Sequence, residues 1–277
     1  VVDVGSNVVA DDDDGLVQVG DRVAALMPLV GSTWGAAAEW VAIRAPFVAK
    51  IPPHVEFATA AAVPLAALTA VQNLKKLRPI FGETRGKRIL IHAGAGGVGT
   101  FAIQYAKHVL GMYVATTASA NKDDLLRRLG ADQVIDYRHA DFTSVVQDYD
   151  AVLDPMSFLY EQRTFDSNVL KPTGVYLNIL SSDWALVNGR EKGLTSKSLF
   201  RWVRHSIQNW FRPGSIPRYN LSIVQPDGET LQEILDLIAK GAIQVIIDGV
   251  YPWTDVVQAY EKLETGHATG KIVLQHN

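Results

Sequence analysis

The sequence predicts an α/β fold: a doubly wound parallel sheet in the middle of the chain, inserted into a β-rich domain made from both ends. Three observations predict it. From Lys87 onward, short apolar runs alternate with helical stretches, as in strands joined by crossover helices. A glycine cluster, Gly94-Ala95-Gly96-Gly97-Val98-Gly99, lies between the first such run and the first such helix. Both ends of the chain read instead as short strands with tight turns. The boundaries drawn from this texture give a central domain over 63–242 and a flanking domain from 1–62 plus 243–277.

The elements follow in order. Val1, Val2 and Val4 open in what reads as mid-strand, and Asp11 to Asp14 with Gly15 form an acidic, solvated turn. Val19 to Val23 and Ala24 to Leu26 read as turn then strand, as does Glu39 to Ile43. Phe57 to Leu77 has helical spacing broken at Pro64. Arg88 to His92 suits a parallel strand covered on both faces. A helix over 101–110, a strand over 113–117 and a helix over 122–129 come next, the last stopped by Gly130. Strands are expected at 134–137, 151–154 and 175–179, and a helix at 231–239. The tail reads as strands at 245–247, 250–253 and 272–274 around a helix at 255–263.

Composition removes several function classes. Among 277 residues, 26 basic side chains face 29 acidic ones, a net charge of −3, so general nucleic-acid binding is not expected. There is no cysteine, which excludes disulfides, a thiolate nucleophile and every zinc site built on cysteine. Nothing suggests a His/carboxylate substitute, so no metal is expected. No apolar run approaches the roughly 20 residues that span a bilayer.

The glycine cluster fits G-x-G-x-x-G and has the context that this string needs, a strand before it and a helix after it. Bare backbone there approaches a pyrophosphate, and the helix start offers amides to the anion. An NAD site usually has an acid at the end of the second strand, for the ribose hydroxyls. This chain reads Ala115-Thr116-Thr117-Ala118-Ser119 there, with no carboxylate before Asp123. Ser119 can donate to a 2′-phosphate and Lys122 can offer it charge; Tyr137 and Arg138, at the end of the third strand, can reach the same place. NADPH is therefore the expected cofactor.

These residues resemble the zinc-independent medium-chain dehydrogenase/reductases of the quinone oxidoreductase kind. The resemblance is carried by Val17 to Val23, Ala60 to Ala70, Ile91 to Gly99, Leu129 to Tyr137 and Gly266 to Val273. Within the family, the long insert after Ile179 and the Gly-His-Ala ending look most like the mitochondrial reticulon-interacting-protein branch. The resemblance implies a GroES-like catalytic domain, here without its N-terminal segment, split around a Rossmann domain, with substrate and nicotinamide in the cleft between them. It implies an NADPH-dependent reductase of quinones or other conjugated carbonyl compounds, with an enoyl-thioester reductase or a scaffold protein that binds NADPH as alternatives. Carried onto this chain, Ala95, Gly96, Gly97 and Val98 touch the pyrophosphate. Ser119 and Tyr137 hold the 2′-phosphate, where Lys122 can offer charge, and Thr69 and Leu177 lie toward the nicotinamide. His267, Ala268 and Thr269 close over the cofactor. A mitochondrial location follows from the branch, and a cytoplasmic one otherwise.

The chain departs from the family where Asp154 is followed by Pro155-Met156-Ser157 instead of a glycine pair. No proton donor stands out, so no catalytic residue is assigned. Over 199–211, Leu199, Trp202, Val203, Ile207, Trp210 and Phe211 fall on one helical face beside Arg201, Arg204 and Arg212. That pattern suits a helix at a membrane surface or one packed on its own domain or on a second copy in a homodimer, and the packed arrangement is favoured.

Overall fold

The computed structural model describes residues 1–5, 17–28, 35–156, 160–179, 203–204, 207 and 217–276. The acidic turn at 11–14 and most of the 199–211 helix lie outside them. Contacts divide the chain into two compact units, Thr69–Ile223 and the flanking Val1–Leu68 with Val224–Asn277.

In the first unit six strands form one parallel sheet in the order β5-β4-β3-β6-β7-β8. These are β3 (Arg88–Ile91), β4 (Tyr113–Ala118), β5 (Gln133–Asp136), β6 (Tyr149–Asp154), β7 (Leu170–Ile179) and β8 (Arg218–Ser222). Sequence order runs one way from β3 to β5 and the other way from β6 to β8, so β3 and β6, paired Ile91 to Leu153, flank the switch point. The apolar runs of β3, β4 and β6 are buried because crossover helices cover the sheet: Leu90, Ala115, Val152 and Tyr176 pack together with Phe142. Five strands fall where the sequence places them. The sixth, β8, is absent from that reading. Arg218-Tyr219-Asn220-Leu221-Ser222 is an edge segment with two apolar residues, made a strand by pairing Tyr219 with Tyr176.

The helices between strands are α4 (Gly97–Gln104), α5 (Asp123–Arg128), α6 (Phe142–Val145) and α7 (Glu161–Phe165). α4 continues into a π turn over Tyr105–Val109. α5 has Asp123 and Asp124 in its first turn and Arg127 and Arg128 in its last, matching the helix dipole, and Gly130 beyond it has φ +109°.

The flanking unit is built from smaller ladders. β1 (Val23–Ala25) pairs antiparallel with β2 (Val48–Lys50), and β9 (Ile247–Pro252) pairs parallel with β10 (Lys271–Gln275). α1 (Phe57–Ala61) precedes α2 (Pro64–Lys75), which has the proline in its first turn, where no N–H is needed. The division at Leu68 falls inside α2. α8 (Gly228–Ala239) belongs with this unit, although the sequence boundary at 242 assigned it to the centre. The reason is close backbone contact: a Cβ on Gly228 would lie 2.5 Å from the Val48 carbonyl. Gln232 also accepts from the Lys50 N–H at 2.8 Å and donates to the Lys50 carbonyl at 3.1 Å.

Three local expectations change. Glu39 to Ile43 is rich in β-formers but is not a strand; β1 pairs with Val48–Lys50 instead, and Trp40 is exposed. Val1 to Val4 are not a strand either, although the Gly20 N–H donates to the Val1 carbonyl at 2.9 Å. The two tail strands at 245–253 are one, β9, followed by α9 (Val256–Glu264).

Candidate functional site

β3 delivers the chain to His92, and at Ala93 the backbone turns left-handed, with φ +51°. The Gly96 N–H closes back on the Ala93 carbonyl at 3.0 Å, and α4 starts one residue later. A Cβ on Gly94 would collide with the Thr116 hydroxyl, and one on Gly99 with the Ala93 carbonyl. These two glycines let helix and strand pack closely. Gly96 is different: as N-cap it has no side chain to bond the amides, so the first turn of α4 offers unpaired N–H groups beside the partly exposed residues Ala95 to Val98. A bare helix start opening at the switch point fits a pyrophosphate.

The end of β4 lies next to that of β5, with Ala118 in register with Asp136 and the Tyr137 N–H donating to the Ala118 carbonyl at 3.2 Å. Ser119 and Tyr137 are thereby brought to neighbouring strand ends, as expected. The Ser119 hydroxyl donates to Asn121 at 2.8 Å, and Lys122 is half-buried without an ion pair among the described residues. The first acid after β4, Asp123, accepts from Arg127 at 2.6 Å.

Beside these strand ends lies a cavity of about 590 Å³, lined by Thr117, Tyr137, Arg138, Phe142, Tyr160 and Arg163 among others. Arg163 lies 4.8 Å over the Phe142 ring and 2.5 Å from Asp141. The Thr143 N–H and hydroxyl, with Arg163, hold the Asp141 carboxyl below its ordinary range. Burial raises the Tyr160 phenol. Phe142, Tyr160 and Arg163 escaped the sequence reading because they lie on, or in Tyr160's case just before, short helices after β5 and β6, outside any recognisable spacing.

The loop after β6 is anchored from below. Asp154, fully buried, accepts from the Tyr176 hydroxyl at 2.5 Å and the Met156 N–H at 2.8 Å. Burial pushes its carboxyl up against those bonds. Glu161 accepts from Tyr219 at 2.9 Å, which fixes α7 to β8.

The remaining predicted residues are placed as follows. Thr69 is buried on α2, and its carbonyl accepts from Asn73 at 2.9 Å. Leu177 is wholly buried within β7. In the flanking unit His267 is exposed, and Thr269 donates its N–H to Asp248 at 3.0 Å, in the turn between α9 and β10. Among the described residues no group of three or more His, Cys, Asp or Glu could hold a metal ion.

Fold and glycine loop together define a dinucleotide-binding α/β protein. Residues 129–274, just over half of the chain, match the family model described as zinc-binding dehydrogenase. The chain is 33% identical over 244 residues to an Arabidopsis thaliana NADPH-dependent alkenal/one oxidoreductase, covering 87% of this chain and 53% of that protein. It is 31% identical over 265 residues to the mitochondrial NAD(P)H oxidoreductase RTN4IP1 of Mus musculus, covering 93% and 65%. Escherichia coli quinone oxidoreductase, solved with NADPH, superposes with a TM-score of 0.73 at 27% identity, over 93% of this chain and 76% of that one. The chain belongs to the zinc-binding dehydrogenase family. It spans about half to two thirds of the two curated relatives' length.

Proposed function

We propose that this chain is the greater part of an NADPH-dependent oxidoreductase that delivers hydride to a quinone or another conjugated carbonyl compound without zinc. The observation that carries the reading is the end of β4 at Ala118-Ser119, which carries no carboxylate of its own and lies adjacent to Tyr137, in the same domain as a helix start that opens at the switch point; the neighbouring Asp136 is engaged by His139. Relatives named for NADPH and for quinones or alkenals support it.

The bound cofactor supplies the hydride, and the protein supplies position and electrostatics. Ala95 to Val98 would hold the pyrophosphate by backbone amides, and Ser119, Lys122 and Tyr137 the 2′-phosphate. Thr69 and Leu177 are assigned to the nicotinamide end, His267, Ala268 and Thr269 to the closing turn, and the flanking segments to a GroES-like substrate domain. No cysteine is present to ligate a catalytic zinc, and quinones suit a site without one, because the reduced ring delocalises its charge. A homodimer in an organelle such as the mitochondrion completes the reading. Among the described residues no helix is long and apolar enough to cross a membrane.

The test is a fluorescence titration with NADPH and NADH, then NADPH oxidation with a small ortho-quinone, an alkenal and an enoyl thioester. Preference for NADPH with quinone or alkenal turnover is expected. Turnover of the thioester alone would reassign the substrate, and binding without turnover would favour a scaffold. Equal or absent binding of both nucleotides would overturn the assignment of Ser119, Lys122 and Tyr137.

A further inference from the structure

His92 is wholly buried at the end of β3, one residue before the left-handed turn that opens the glycine loop. Its Nδ1 lies 3.2 Å from the Thr117 hydroxyl oxygen, and its Nε2 has no hydrogen-bond partner. The same hydroxyl oxygen accepts from the Ala93 N–H at 3.2 Å. The imidazole cannot swing away: it stacks on Tyr160 (centroids 4.2 Å apart, 20° between planes) and meets Phe142 edge to face at 4.8 Å and 78°. A polar ring clamped between two aromatic walls, with one nitrogen unpaired, is costly unless it does something that a phenylalanine could not.

We propose that His92 is a positioning residue: through the Thr117 hydroxyl it fixes the Ala93 amide, and with it the left-handed turn from which the glycine loop departs.

Counting donors and acceptors settles which way the bonds run. If Nδ1 carried the proton, it would donate to Thr117, and both the Thr117 O–H and Nε2 would be left buried and unpaired. If Nε2 carries it, the Thr117 O–H donates to Nδ1 while its oxygen accepts from Ala93, and a single N–H is left over. The second arrangement wastes less. It also makes Thr117 a relay, with its hydroxyl rotor locked by His92 and its lone pair therefore aimed at Ala93. The imidazole stays neutral, since burial and nearby Arg163 lower its pKa to about 3. A left-handed non-glycine residue costs free energy, and Ala93 is held by this bond from the side and by its carbonyl's bond to the Gly96 N–H from the front.

The inference rests on the dinucleotide reading above, and the experiment separates the two. The full chain is titrated with NADPH as wild type, Thr117→Val, Thr117→Ser and His92→Phe, and each protein is melted in parallel. Thr117→Val is expected to weaken NADPH binding about tenfold, the worth of one buried hydrogen bond. Thr117→Ser should restore wild-type affinity, and His92→Phe, which keeps the stack, should fall between them. Unchanged affinity in Thr117→Val, or an equal loss in Thr117→Ser, would overturn the proposal. Independently of any nucleotide, ¹⁵N NMR of the wild type should show His92 with a protonated Nε2 and a bare Nδ1 at pH 6 to 8. The opposite tautomer or an imidazolium would overturn it even if the valine variant fails to fold. Should the wild type bind no NADPH, the functional reading falls, and the tautomer with the exchange rate of the Ala93 amide decides the positioning role alone.

Discussion

The central sheet and the flanking unit come from one chain yet rest on different physics. In the centre every strand has a partner in a six-stranded sheet, and β4 and β6 bury all or nearly all of their residues. In the flanking unit the ladders among the described residues have two strands each, and no residue of β9 is fully buried. Large apolar side chains such as Trp40, Phe57, Val257 and Tyr260 stay exposed there. The centre is therefore specified by continuous apolar burial across a sheet, whereas the flank combines a buried helix face, Leu231, Ile234 and Leu235, with single polar and glycine contacts such as Gln232 to Lys50. An added carbon should be severe where a glycine meets backbone, at Gly99 in the centre and at Gly228 in the flank, and mild at open flank positions such as Gly241.

The most severe test is Gly99→Val. Its side chain would enter the space of the Ala93 carbonyl and the Gly94 backbone, so NADPH affinity is expected to fall by about a hundredfold, read by titration. Retained affinity would mean that the loop yields where its packing says it cannot.

Next comes Asp150→Asn at the base of the sheet. This carboxylate accepts from the Arg88 N–H at 2.9 Å and from Lys171 at 2.9 Å. Burial alone would raise its pKa, but those donors and Lys87 bring it below the ordinary value. Loss of the charge should cost about 1–3 kcal/mol in denaturant melts at neutral pH. Because the folded pKa lies below the unfolded one, this stabilisation is present above about pH 4 and disappears as pH falls through the folded value. The variant's stability should therefore fall less steeply on the acid side, and parallel acid limbs would sink the assignment.

The mildest is Gly241→Ala in the flank. Nothing lies within 4 Å of the added carbon, and only φ +71° opposes it, so a loss of about 1 kcal/mol is expected in the same melts. A loss of about 3 kcal/mol or more, beyond what a positive φ costs an alanine, would erase the contrast between the two units.

The same contrast explains what could be read beforehand. The strands at Arg88, Tyr113 and Ala151 announce themselves because burial on both faces favours apolar runs, and the Gly94–Gly99 string is legible because close approach leaves no room for side chains. β8 was invisible, since an edge strand is defined by its neighbour's register and not by its own composition. Glu39 to Ile43 misled for the converse reason: its Trp, Val and Ile suit a strand, but it finds no partner among the described residues. Of the candidate site, the backbone cradle and the strand ends at Ser119 and Tyr137 were legible. Tyr160, Phe142 and Arg163 were not, because only the crossover connections after β5 and β6 bring them to one wall.

The π turn at Tyr105–Val109 constrains chain length more than chemistry. Lys107 reaches Asp132 at 2.6 Å from this widened turn, and its side chain packs where Gly130 has no Cβ. Removing one residue would tighten the turn to an ordinary helix and rotate everything beyond it by about 100°, parting Lys107 from Asp132. Side chains along 105–109 can therefore be exchanged more freely than the number of residues can. An alignment gap opened inside this segment would mark a relative whose helix ends differently, even where every neighbouring letter agrees.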